Sequence, residues 1–166
     1  MSKTVAYFNS MVSSSLVPSI LIQCNRIIAS DVGPHLGLVC LPDLVVIAIS
    51  EEGVAAGLLV LHFTARTRAW EIGAMASSRG CDRNETLEIL INGSYDAIRA
   101  VQARGGFDPK VWLVKRVRGA DLKRKALFAY MGFEHASNWT DGVLSNDGYI
   151  PFDPFDTLLM KRAVHA

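Results

Sequence analysis

The sequence predicts an α/β fold of the α+β kind: a mixed, mostly antiparallel sheet with one central parallel strand pair, flanked by helices. Three observations predict it. Three strand-like runs follow one another over residues 44–77 with only short turns between them, which makes antiparallel neighbours. A helical pattern over 85–104 then separates the third run from a fourth at 110–117, and a strand–helix–strand crossover joins parallel strands. The chain has 166 residues, half of them hydrophobic, which suits one domain over 1–166 with a core of ordinary size.

Residues 1–43 are expected to form an N-terminal helical part. Leu16, Val17, Ile20, Leu21, Cys24, Ile27 and Ile28 recur at helical spacing. Ser15 is placed to cap that helix, with Pro18 in its first turn, where a proline is tolerated. Residues 31–43, with Gly33-Pro34 and Leu41-Pro42-Asp43, read as a loop. Leu21-Ile22-Gln23-Cys24 faintly resembles a lipoprotein cleavage site, but Gln23 is too large for the small residue such a site needs. Neither a signal peptide nor a membrane span is expected.

Residues 44–164 carry the strands. Leu44 to Ser50 is apolar and branched, Glu51-Glu52-Gly53 is a tight turn, and Val54 to Ala65 closes a hairpin. Arg68 to Ser77 is the third strand. Leu87, Leu90, Ile91, Tyr95, Ile98 and Val101 share one face of the long helix. Asn84 is expected to cap it, Glu85 suits its dipole, and Gly105-Gly106 ends it. Lys110 to Val117 is a strand, Asp121 to Met131 a short helix, and Phe133 to Asn138 and Thr157 to Val164 the last two strands.

Composition excludes several classes. The formal net charge is +1, which argues for neither nucleic acid nor an acidic partner. Cys24, Cys40 and Cys81 are odd in number and not at metal-ligand spacing. His35, His62, His135 and His165 are scattered. No metal site and no disulfide framework is expected, and a reducing, cytoplasmic setting is.

The order of elements resembles the GNAT superfamily of N-acetyltransferases over residues 44–164. Ala126-Leu127-Phe128-Ala129-Tyr130-Met131-Gly132-Phe133-Glu134 is similar to that family's short helix ending in Gly-Phe. Glu71-Ile72-Gly73-Ala74-Met75-Ala76-Ser77-Ser78-Arg79-Gly80 is similar to its fourth strand running into a pyrophosphate loop. Leu158 to Arg162 is similar to its closing strand. The resemblance implies that the parallel strands splay apart around acetyl-CoA. The backbone of Ala74, Met75 and Ala76 would then pair with the pantetheine arm, and Arg79, Gly80, Arg83 and Asn84 would surround the pyrophosphate. It implies Glu71 as the base that takes a proton from an amine acceptor, a small molecule or a protein, and Tyr130 as the nearest hydroxyl acid.

Three positions depart from the family pattern. Asp82 and Asn84 stand where the loop has small residues. A carboxylate about 6 Å from a phosphate costs roughly 3 kcal/mol per unit charge at an effective dielectric near 20. Phe128 stands at the family's tyrosine position, and Tyr130 lies about 200° further round the helix. These departures keep a second reading open: a degenerate GNAT-like interaction or structural module, as in some phage virion and accessory proteins, with a protein partner or self-assembly in place of a substrate. Lys115, Arg116, Arg118, Lys123, Arg124 and Lys125 face one acidic residue, Asp121, in the same segment. They suit a coenzyme A phosphate or an acidic surface, while the lack of interleaved aromatics argues against single-stranded nucleic acid.

Overall fold

The computed structural model describes residues 3–8, 22–27, 43–64, 68–105, 110–118, 121–135 and 157–165. Seven strands form one sheet: β1 Lys3–Phe8, β2 Leu44–Ile49, β3 Ala55–Thr64, β4 Ala69–Ser77, β5 Lys110–Arg118, β6 Glu134–His135 and β7 Thr157–His165. The helices are α1, helical over residues 22–27, α2 Arg83–Gly105 and α3 Leu122–Tyr130. The sheet order is β1-β2-β3-β4-β5-β7-β6. Every neighbouring pair is antiparallel except β4 and β5. The mixed sheet and its single parallel pair are those predicted from the sequence. Ser15, Pro18 and most of the 31–43 loop lie outside the described residues, as do residues 136–138 of the predicted fifth strand.

The predicted order began with a helix, whereas the described order begins with a strand. Residues 3–8 pair with β2 from Lys3↔Ile49 to Phe8↔Leu44. Six residues at a sheet edge carry little periodic signal of their own, and what holds them is the neighbouring strand and α2. Thr4 lies against Gly93 of α2, where a Cβ would come within 2.6 Å of Thr4 Oγ1.

Alternation along the strands divides the core between the two faces of the sheet. Leu44, Val46, Leu59, Leu61 and Ile72 face α2, which contributes Leu87, Leu90, Ile91 and Ile98. Phe128 and Phe133 join the same core from the α3 end. Val45, Ile47, Leu58 and Val60 face the other way and bury Cys24 and Ile27 of α1. Gln23 Oε1 accepts the Ala55 N–H at 2.8 Å and ties α1 to the start of β3. Close packing of α2 on the sheet depends on Gly57, where a Cβ would meet Thr86 Cγ2 at 2.6 Å and the Ala76 carbonyl at 2.7 Å. Among the described residues no helix is long and apolar enough to cross a membrane.

The end of α3 explains the Gly-Phe pair. Gly132 has φ +83°, where a side chain is strained. The Phe133 N–H donates to Phe128 O and the Gly132 N–H to Ala129 O, both at 3.0 Å. This is a Schellman cap. Its hydrophobic contact is Phe128 against Phe133, edge to face with centroids 5.0 Å apart.

Candidate cofactor cleft

The parallel pair is short. β4 and β5 are in register only over Ala69↔Trp112, Trp70↔Leu113 and Glu71↔Val114. Beyond that point β4 continues through Ser77 beside β3, and β5 continues through Arg118 beside β7. The two strands therefore part, leaving backbone groups of β4 without a strand partner on that side among the described residues. A bulge in β4 lies at the parting. Leu59 pairs with Met75 but Leu61 with Ile72, so Gly73 and Ala74 together oppose Val60.

Two side chains of β5 mark the closed end of this split. Arg116 Nε lies 2.9 Å from Glu71 Oε1. Glu71 is thus a paired carboxylate on a half-buried strand, directly across from His62 of β3. Lys115 reaches back across the split, and its Nζ donates to Gly73 O at 2.7 Å and Ile72 O at 3.1 Å. Burial of its charged end, followed by the like charge of Arg124, draws its pKa from 10.5 down to about 8; Glu71 opposes the change and Arg116 adds to it. The side chain as a whole is only half-buried, so the desolvation belongs to the ammonium rather than the stem.

The open end meets the N-termini of α2 and α3. A cleft of about 510 Å³ there is lined by Asp82, Arg83, Asn84 and Leu87 from the first and Asp121, Lys123, Arg124 and Leu127 from the second. Both aspartates are helix caps. Asp82 Oδ1 accepts the Glu85 N–H at 2.8 Å, and Asp121 Oδ1 accepts the Arg124 N–H at 3.0 Å. The expected cap of the long helix, Asn84, instead sits in its first turn, because α2 starts at Arg83. Asp82 precedes that start, so its side chain stands at the N-cap and accepts from the N3 amide. Three cations and two carboxylates engaged as caps leave the lining with an excess of one positive charge.

The structure brings together only part of the predicted site. Arg83 and Asn84 line the cleft, whereas Arg79 and Gly80 are exposed and do not. Met75 and Ala76 turn their side chains into opposite cores, leaving only backbone for a ligand in the split. Phe128 is fully buried, and Tyr130 is 77% exposed and not part of the lining. Lys115 and Arg116 serve the closed end while Lys123 and Arg124 line the cleft, and Arg124 is still near enough to Lys115 to act on its charge, so the basic segment links the two. The position of Lys115 had a sequence signal. Val111, Leu113 and Val117 alternate on the buried face of β5, and residue 115 falls on that same face.

A mixed sheet whose one parallel pair splits past its first three residue pairs, with a helix N-terminus at its mouth, is the GNAT fold. An acyl-CoA N-acyltransferase from Pseudomonas aeruginosa is similar over 98% of this chain and 99% of that one, with a TM-score of 0.65 at 12% identity. A GNAT family N-acetyltransferase from Escherichia coli, solved in complex with CoA, is similar over 97% of this chain and 82% of that one, with a TM-score of 0.60 at 11% identity. Nourseothricin acetyltransferase is similar over 73% of this chain, which spans 65% of that protein, with a TM-score of 0.50 at 15% identity. No protein-family model and no curated sequence matches the chain.

Proposed function

We propose that the protein is an N-acyltransferase that uses acetyl-CoA and acts on an amine. The observation that carries this reading is the split of β4 from β5 after Glu71↔Val114, leading to a cleft of about 510 Å³ between two helix N-termini. The residues fit the nucleotide end. Arg83, Lys123 and Arg124 supply cations, and the first turns of both helices supply amide donors for phosphate oxygens. The backbone of β4 from Ala74 to Ala76, past its parting from β5, suits an extended arm bearing amides. Bound acetyl-CoA would supply an activated acyl thioester.

The chain's own residues supply the rest. Glu71 lies at the closed end, and its ion pair with Arg116 holds it oriented. It receives the proton of the attacking amine, directly or through one water, and positioning of the amine supplies much of the rate. Calorimetry tests the reading: coenzyme A at millimolar concentration binds the protein, and no heat of binding would overturn it. Glu71→Gln keeps that binding and lowers acyl transfer to a panel of amines by roughly 10²- to 10⁴-fold.

Two observations favour a second reading, a GNAT-fold interaction module without acyl transfer. Phe128 is locked in the core with no hydroxyl, and two carboxylates stand in the cleft. The same calorimetry decides between the two.

A further inference from the structure

We propose that Lys115 is the proton donor to the sulfur that departs when the acyl group is transferred, an inference that rests on the acyltransferase reading above. Lys115 Nζ is held by Gly73 O and Ile72 O, two successive carbonyls at the β4 bulge, one residue past the last paired position. An ammonium has three protons, and these bonds occupy two. The third is available at the point where the split closes.

The chemistry of coenzyme A sets which end reaches it. Its phosphates are at one end and its thiol at the other. The cations Arg83, Lys123 and Arg124 are at the open end, so the thiol end points down the split. Ile72 to Ser77 is about 16 Å of extended strand, a span suited to an arm rather than a nucleotide. The alternatives on α3 do not reach this place: Phe128 has no acidic proton and is buried, and Tyr130 is exposed.

The charged groups facing Lys115 are Glu71 from β4, Arg116 from β5 and Arg124 from α3. With burial, they hold its pKa at about 8. Such a group is mostly protonated at neutral pH, and its acidity lies close to that of an ordinary thiol, near 8.5, so proton transfer between them is nearly balanced. The amine lone pair forms the N–C bond and the C–S bond breaks, with its electron pair passing to sulfur. Lys115 Nζ transfers a proton to that sulfur, the acylated amine gives its proton to Glu71, and solvent then takes that proton from Glu71 and returns one to Lys115. The sum is amide plus free thiol, with no other reactant.

The test needs no acceptor. Free coenzyme A and its desulfo analogue are titrated into the protein near pH 7.5, in two buffers of different ionisation enthalpy. Wild type releases a fraction of a proton on binding coenzyme A and none on binding the desulfo form. It also prefers the thiol form, by roughly twofold at this pH where the ammonium lowers the sulfur's pKa by one unit. Lys115→Met abolishes both the release and the preference, and Lys115→Arg keeps the release. Equal binding of both ligands to wild type, without proton release, overturns the role of Lys115 and leaves the acyltransferase reading standing; that comparison needs no variant to fold. Absence of binding by either ligand overturns the acyltransferase reading and this inference with it.

Discussion

Asp82 is a residue with two opposed effects. Its side chain caps α2 through the Glu85 amide, and its charge lines the cleft proposed for a diphosphate. Asp82→Asn separates them, because asparagine caps as well as aspartate but carries no charge. The variant is expected to bind coenzyme A more tightly, by up to roughly tenfold at low salt and less at high salt, since the group is exposed and screened. The cost is the helix-dipole contribution, about 0.3–1 kcal/mol. Titration calorimetry at two salt concentrations with a parallel thermal melt reads both, and unchanged affinity removes the phosphate from this loop. By sequence Asn84 is the expected cap, and Asp82, two residues earlier, is of an equally good capping type. Only the start of the helix, one residue after Asp82, selects between them.

At the scale of elements, the short helix was legible because its stop signal is local. Gly132-Phe133 implies a left-handed residue followed by an apolar contact, and the cap bonds and the Phe128–Phe133 contact realise it. Gly132→Ala tests the motif. Space is not the obstacle, since the nearest atom a Cβ would meet is Arg162 Nε at 3.8 Å. The φ of +83° is. The expected loss is about 1–2 kcal/mol, or roughly 2–8 °C in Tm for a chain of this size. A melt unchanged within error would mean that α3 ends without the left-handed residue. β1 lacked such a signal. Its alternation becomes meaningful only once β2 is beside it and Gly93 of α2 makes room for Thr4.

For the whole molecule, the buried cation at the closed end of the cleft ties stability to pH. Lys115 titrates at about 8 in the folded chain against an ordinary 10.5. Below pH 8 both states carry the proton and the fold bears the full cost of burying it. As pH rises from about 8 to 10.5 the unfolded chain binds more protons, so the folded state gains, by about 3 kcal/mol at most. Cys24 acts in the opposite sense: burial, against its own backbone hydrogen bond, lifts its thiol from 9.0 to about 11. The unfolded chain loses that proton first, so stability falls above pH 9. Comparing wild type with Lys115→Met by denaturant unfolding over about pH 7 to 9.5 cancels the Cys24 contribution. Wild type is expected to gain on the variant as pH rises, and a constant difference would place the ammonium in water. The sequence by itself determined the element order from residue 44 onward, the parallel crossover and the helix faces, because periodicity, caps and turn residues act over a few neighbours along the chain. The tertiary structure alone decided where β4 and β5 part, that Lys115 spans the gap, and that Glu71 pairs with Arg116. Those follow from register between strands some forty residues apart, and a register shift of one residue would send each of these side chains to the other face.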